Sequence, residues 1–108
     1  MKSIEDCLLL DFYGNLLTEN MRTTLDLYLN DDISLAEIAQ EEQISRQGVH
    51  DKVKRGLKQL KGYEDKLGLV KRFLEQKESV KDALNHIDAG NYVKAREVLS
   101  RLSEEIEE

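Results

Sequence analysis

A chain of 108 residues, 35% charged and 6% aromatic, with no proline and no tryptophan, suffices for one domain or one domain with a helical extension, not for two independent cores. Without proline, and rich in Leu, Glu, Lys and Ala, it favours helix from end to end, and no sustained apolar/polar alternation marks a strand. The net charge of −6 argues against a polyanionic partner only until its distribution is considered. Residues 1–44 hold two basic and ten acidic side chains, net −8; residues 45–66 hold seven basic and three acidic, net +4; the remainder holds seven and nine, net −2. Positive charge is confined to one segment, as phosphate contact requires.

In chain order, a first helix is predicted from about Ile4 to Leu16, with Ile4, Leu8, Phe12 and Leu16 at four-residue steps on one face and Gly14-Asn15 loosening its end. Thr18 is placed as the N-cap of a second helix, Glu19 to about Leu29, which buries Met21, Leu25 and Tyr28 with Leu29 beside them. Leu17 before the cap can staple against its first turn. Asn30-Asp31-Asp32 is a turn cluster. Ser34 and Glu37 form a capping box that opens a short helix, Leu35 to about Glu42.

Ser45 is a second N-cap, and a longer helix is predicted from Arg46 towards Lys66. Val49, Val53, Gly56, Leu57, Leu60 and Leu67 line its buried side. Gly68 marks a break. Two more helices follow, Val70 to Ile87 and Tyr92 to Ile106, joined by Asp88-Ala89-Gly90-Asn91. Phe73, Val80, Leu84 and Ile87, interrupted by Lys77, keep a seven-residue rhythm, as do Tyr92, Ala95, Leu99, Leu102 and Ile106. That rhythm suits an antiparallel hairpin or a dimer seam. The acidic tail from Glu104 is expected to be frayed and solvated.

Two capped helices, the first short, joined by about three residues, describe a helix-turn-helix. Leu35, Ile38, Ala39, Ile44, Val49 and Val53 supply its apolar positions. At 100° per residue, Gln47, Asp51, Lys54 and Lys58 lie opposite the core side of the second helix, flanked by His50, Arg55 and Lys61. Arg46 and the amides behind Ser45 offer an anion site at its N-terminus. This set of amide, imidazole and basic groups is the one used on base edges and phosphates. The turn departs from the usual pattern. Glu42 and Gln43 stand where an apolar residue and a glycine are common, so the turn is either shaped differently or strained.

The run from Asp11 to Leu69, and within it DFYGNLLT, SLAEIA, SRQGVHDKVKR and YEDKL, resembles the YlxM/p13-like family of bacterial helix-turn-helix proteins, and more distantly region 4 of sigma factors. The resemblance implies an all-α fold: a helix-turn-helix like sigma region 4, or a winged helix without its wing, over residues 1–68. Residues 69–108 are expected to form a C-terminal helical hairpin, whose seven-residue apolar rhythm makes it the candidate dimerisation element. It also implies a regulatory DNA-binding role and a part in the signal recognition particle pathway. By matching positions it makes Arg46, Gln47, His50, Asp51, Lys54 and Arg55 the recognition-helix candidates.

No enzymatic constellation emerges. His50 and His86 lie far apart with no zinc-ligand spacing, the six glycines form no phosphate loop, and no pair of carboxylates stands out as an acid/base couple. No metal or cofactor is expected. Cys7 is taken for a small core residue, and a lone thiol without a disulfide partner fits a cytoplasmic protein. Glu5, Asp6 and Asp11 break the N-terminal apolar run, so neither a signal peptide nor membrane insertion is expected. The expected partners are DNA or RNA at the recognition helix, signal recognition particle components, and a second copy of the chain. The alternative is a protein-interaction adaptor that keeps the helix-turn-helix as a scaffold.

Overall fold

The computed structural model describes residues 3–107, and among them there are six α-helices and no strand. The chain divides into two compact units, the first reaching Val70 and the second starting at Lys71.

The first unit begins with α1 (Ile4–Tyr13), capped by the Ser3 hydroxyl, which accepts from the Asp6 amide at 3.0 Å. A 3-10 turn (Gly14–Leu16) follows, so α-helix ends three residues before the sequence-based boundary. The predicted face is also out of phase. Leu9, Leu10 and Tyr13 are buried, whereas Ile4, Phe12 and Leu16 are exposed. This helix is apolar around most of its circumference, so four-residue spacing alone does not choose the inward side.

Next comes α2 (Glu19–Leu25), capped by Thr18, whose hydroxyl accepts from the Met21 amide at 3.2 Å. The segment expected to continue it as α-helix is a π-helical turn over Asp26–Asn30, closed by the Asp31 amide on the Asp26 carbonyl at 3.0 Å. Leu25 and Leu29 are buried across it, with Met21 and Tyr28 packed half-buried against the core.

The cap chemistry is as the sequence sets it out. Ser34 opens α3 (Leu35–Glu42), its hydroxyl accepting from the Glu37 amide at 3.1 Å and donating to the Glu37 carboxylate at 3.3 Å. Ser45 opens α4 (Arg46–Leu67), accepting from the Gly48 amide at 2.9 Å. Replacing either serine by alanine should cost about 1 kcal/mol in urea denaturation, since each leaves a helix amide without its acceptor. Unchanged midpoints for both would contradict these helix starts.

The central member is α4. Helices α1, α2 and α3 all pack on it, and it contributes Val49, Val53, Gly56 and Leu60 to the core. Leu57 is half-buried, but Leu67, placed on the same side from sequence, is exposed. At Gly56 a methyl group would come within 2.8 Å of both Leu25 and Met21, so a side chain there would force those two to shift. Cys7 sits half-buried against the same core.

The helix ends at Gly68 in the left-handed conformation (φ 64°), and α5 (Leu69–Asp88) starts at once. Its first amides are held by side chains from elsewhere in the unit. Tyr13 donates to Glu64 at 2.5 Å, the Leu69 amide donates to the Tyr13 hydroxyl at 3.1 Å, and the Val70 amide donates to Glu64 at 2.9 Å. Burial and the adjoining Glu64 carboxylate together raise the Tyr13 phenol above its ordinary value, which keeps it a proton donor.

The second unit is the rest of α5, a turn at Ala89–Gly90, and α6 (Tyr92–Glu107). The seven-residue stripes are only partly its internal seam. Ala95 and Leu102 are buried, joined by Ala83 and Val98, which lie off the stripes, while Phe73, Val80, Leu84, Ile87, Tyr92, Leu99 and Ile106 are exposed. Small side chains make up half of the buried set, and the larger apolar side chains of the stripes are mostly left exposed. Far from fraying at Glu104, α6 stays helical through Glu107; Glu108 lies outside the described residues.

Candidate nucleic-acid interface

The turn between α3 and α4 decides how the second helix is presented. Gln43 takes the left-handed conformation (φ 59°, ψ 40°), so the turn has the shape that glycine would favour, with strain of about 1 kcal/mol in its place. Its amide and that of Ile44 both donate to the Ala39 carbonyl, closing the end of α3.

Glu42, the other departure from the usual pattern, explains itself in three dimensions. It accepts from Lys52 Nζ at 2.6 Å and from the Thr24 hydroxyl at 2.7 Å, and Lys52 also donates to the Asn20 side chain. One carboxylate therefore ties α3 to α2 and to α4. Burial raises the Glu42 carboxyl, but the hydrogen bonds from Lys52 and Thr24 and the charge of Lys52 outweigh it, leaving a value below the ordinary one. The side chains of Lys52 and Glu42 are only 12% and 17% exposed. Lys52 thus belongs to the scaffold, although it counts towards the positive charge of its segment.

Every residue singled out from sequence lies on the exposed side of α4: Ser45, Arg46, Gln47, His50, Asp51, Lys54, Arg55, Lys58 and Lys61. They do not form one cluster. Arg46, Gln47 and His50 line a shallow depression with Leu35 at the N-terminal end, and Lys54, Lys58 and Lys61 line another with Leu57, Gly62 and Asp65. Arg55 stands on the opposite flank, about 140° round the helix from His50. Asp51 accepts from the Gln47 amide at 3.1 Å and lies 3.7 Å from His50. Ser45 is committed to its cap, so in the first turn the amides of Arg46 and Gln47 are the ones that point outward. Sequence reasoning missed Leu35 as a wall of the first depression. Only the tertiary approach of α3 to α4 puts it there.

A family model described as "Putative helix-turn-helix protein, YlxM / p13 like" matches residues 1–100. The chain belongs to this family. A UPF0122 protein of Acetivibrio thermocellus is 51% identical over 112 aligned residues, spanning 99% of this chain and 95% of its own. One of Clostridium kluyveri is 46% identical over 95 residues, covering 88% of this chain and 86% of its own. UPF0122 protein YlxM of Bacillus subtilis is 42% identical over 99 residues, covering 92% and 87%. The YlxM / p13 like family is one of helix-turn-helix proteins. No helix among the described residues is long and apolar enough to cross a membrane.

Proposed function

We propose that this protein is a regulatory nucleic-acid-binding module that uses the exposed side of α4. The observation that carries the reading is the run Arg46, Lys54, Arg55, Lys58 and Lys61, all exposed on the second helix of a helix-turn-helix, in a helix whose inward lysine is already neutralised by Glu42. Arg46, Gln47, His50 and Asp51, at the N-terminal end, are in position for base edges; Lys54, Arg55, Lys58 and Lys61, one to four turns further on, for the phosphates of either strand. Duplex DNA is the first ligand to try, structured RNA the second. The family resemblance adds components of the signal recognition particle as partners in the cytoplasm.

Reversing Lys54, Arg55 and Lys58 to glutamate should abolish measurable binding at low salt, and removing them singly should flatten the salt dependence by about one unit of slope per lost phosphate contact. Fluorescence anisotropy with a labelled duplex and a labelled RNA hairpin measures both. Unchanged binding in the triple variant would discard this face.

A second reading, the adaptor, is favoured by Asp51 at the centre of the face and by the net charge of −6, both of which repel a polyanion. Wild-type protein without salt-sensitive binding to either nucleic acid would select it.

A further inference from the structure

Five of the six glycines have a local reason to be where they are. Gly68 and Gly90 are left-handed, with φ 64° and 77°, and at Gly14, Gly48 and Gly56 a Cβ would come within 3.2, 3.1 and 2.8 Å of a neighbouring side chain. Gly62 has neither reason. It is an ordinary α-helical residue inside α4, and no described atom outside its own stretch of helix stands within 4 Å of the place its Cβ would take. Glycine inside a helix is destabilising relative to alanine, so the fold alone favours a side chain at this position.

What surrounds the gap is positive charge. At 100° per residue Gly62 falls between Lys58, one turn before it, and Lys66, one turn after, with Arg55 two turns back on nearly the same line; all three are exposed. The hollow that Gly62 helps to line is shared with Lys54, Leu57, Lys58 and Lys61, and Asp65 is the one acid on it. Gly62 also stands about 24 Å along the axis from Arg46, whereas the major groove of DNA is only about 12 Å wide. With the first turn of α4 at base edges, Gly62 is past the groove, where the helix meets the strand that walls it. We infer that Gly62 is the point of closest approach between α4 and a sugar–phosphate strand of duplex DNA. Its missing side chain lets the strand lie against the helix, while Lys58, Lys66 and Arg55 reach phosphates on either side. This rests on the reading of α4 given above and adds to it a residue that acts by absence, which a count of charges does not find.

Gly62→Ala and Gly62→Leu in the full chain test it, with thermal melting and fluorescence anisotropy on a labelled duplex as paired readouts. Both variants should melt above the wild type, Gly62→Ala by about 4 °C, because each puts a better helix former in place of glycine. Both should nevertheless bind more weakly, by about threefold for alanine and about tenfold for leucine, since the strand is held off the helix. A residue that served only the fold would move stability and binding in the same direction. Combined with Lys58→Ala, Gly62→Leu should lose less than the sum of the two, because both act on one stretch of strand. Wild-type affinity in Gly62→Leu, or strict additivity with Lys58→Ala, would overturn the inference. Reversal of Lys54, Arg55 and Lys58 tells the two failures apart: binding lost there but kept in Gly62→Leu removes the role of Gly62 alone, whereas a wild type that binds no duplex removes both readings. A loss seen with an RNA hairpin and not with the duplex would overturn the assignment to DNA.

Discussion

Truncating Leu25 to alanine is expected to cost about 3 kcal/mol of folding stability, the middle of the range for a large aliphatic side chain removed from a closed core. Leu25 is completely buried and lies where α2 crosses α4, against a glycine that has no side chain of its own to relax into the space. The same contact gives a second, signed expectation. Gly56→Ala alone should destabilise, because the clash with Leu25 and Met21 exceeds the gain in helix propensity, which is about 1 kcal/mol. Combined with Leu25→Ala it should lose less than the sum of the two, since the shortened side chain makes room for the new methyl. Urea denaturation of the two single variants and the double variant measures the coupling; strict additivity would mean that the two residues do not share that space.

The second large effect is expected at Lys52. Lys52→Met should cost about 2 kcal/mol, between the fraction of a kcal/mol usual for an exposed ion pair and the roughly 3–5 kcal/mol of a fully buried one. Its pH signature is more telling than its size. In the wild type Glu42 titrates below its unfolded value, so its contribution is fully present above that value and is lost as pH falls through the lowered one. Without Lys52, burial acts on Glu42 opposed only by the Thr24 hydroxyl, and its carboxyl should move above the ordinary value. Acidification towards that value should then recover part of the lost stability. Stability measured from neutral pH down to the carboxylate range decides: parallel wild-type and variant curves would show that Lys52 does not set the Glu42 titration.

These two sites also mark where the sequence stops being legible. The caps at Thr18, Ser34 and Ser45 and the break at Gly68 were readable because each is a local event, a hydroxyl facing an amide three residues on or a glycine able to turn left-handed. The inward side of α4 was readable too, because its polar and apolar faces are cleanly separated. The phase of α1 was not, because Cys7, Leu8, Leu9, Leu10 and Phe12 leave it almost no polar side. The π-helical turn after Leu25 has no pattern of its own. At the candidate interface, exposure of the nine residues could be derived from helical geometry alone. The role of Glu42 could not, since its partners Thr24 and Lys52 come from two other helices and meet it only in the folded chain. In sequence it looked like a flaw in the turn, whereas in the fold it is the brace that fixes the angle of α4.

The bonds among Tyr13, Glu64, Leu69 and Val70 join positions more than fifty residues apart, the first helix of the unit and its last turn. A terminal helix usually opens on its own, because few contacts hold it. Here α1 cannot peel away without stripping the Leu69 amide, the first of α5, of its acceptor and Glu64 of the Tyr13 phenol at the same moment. The two ends of the unit are therefore coupled, and amide exchange at Leu69 becomes a gauge of whether α1 is docked.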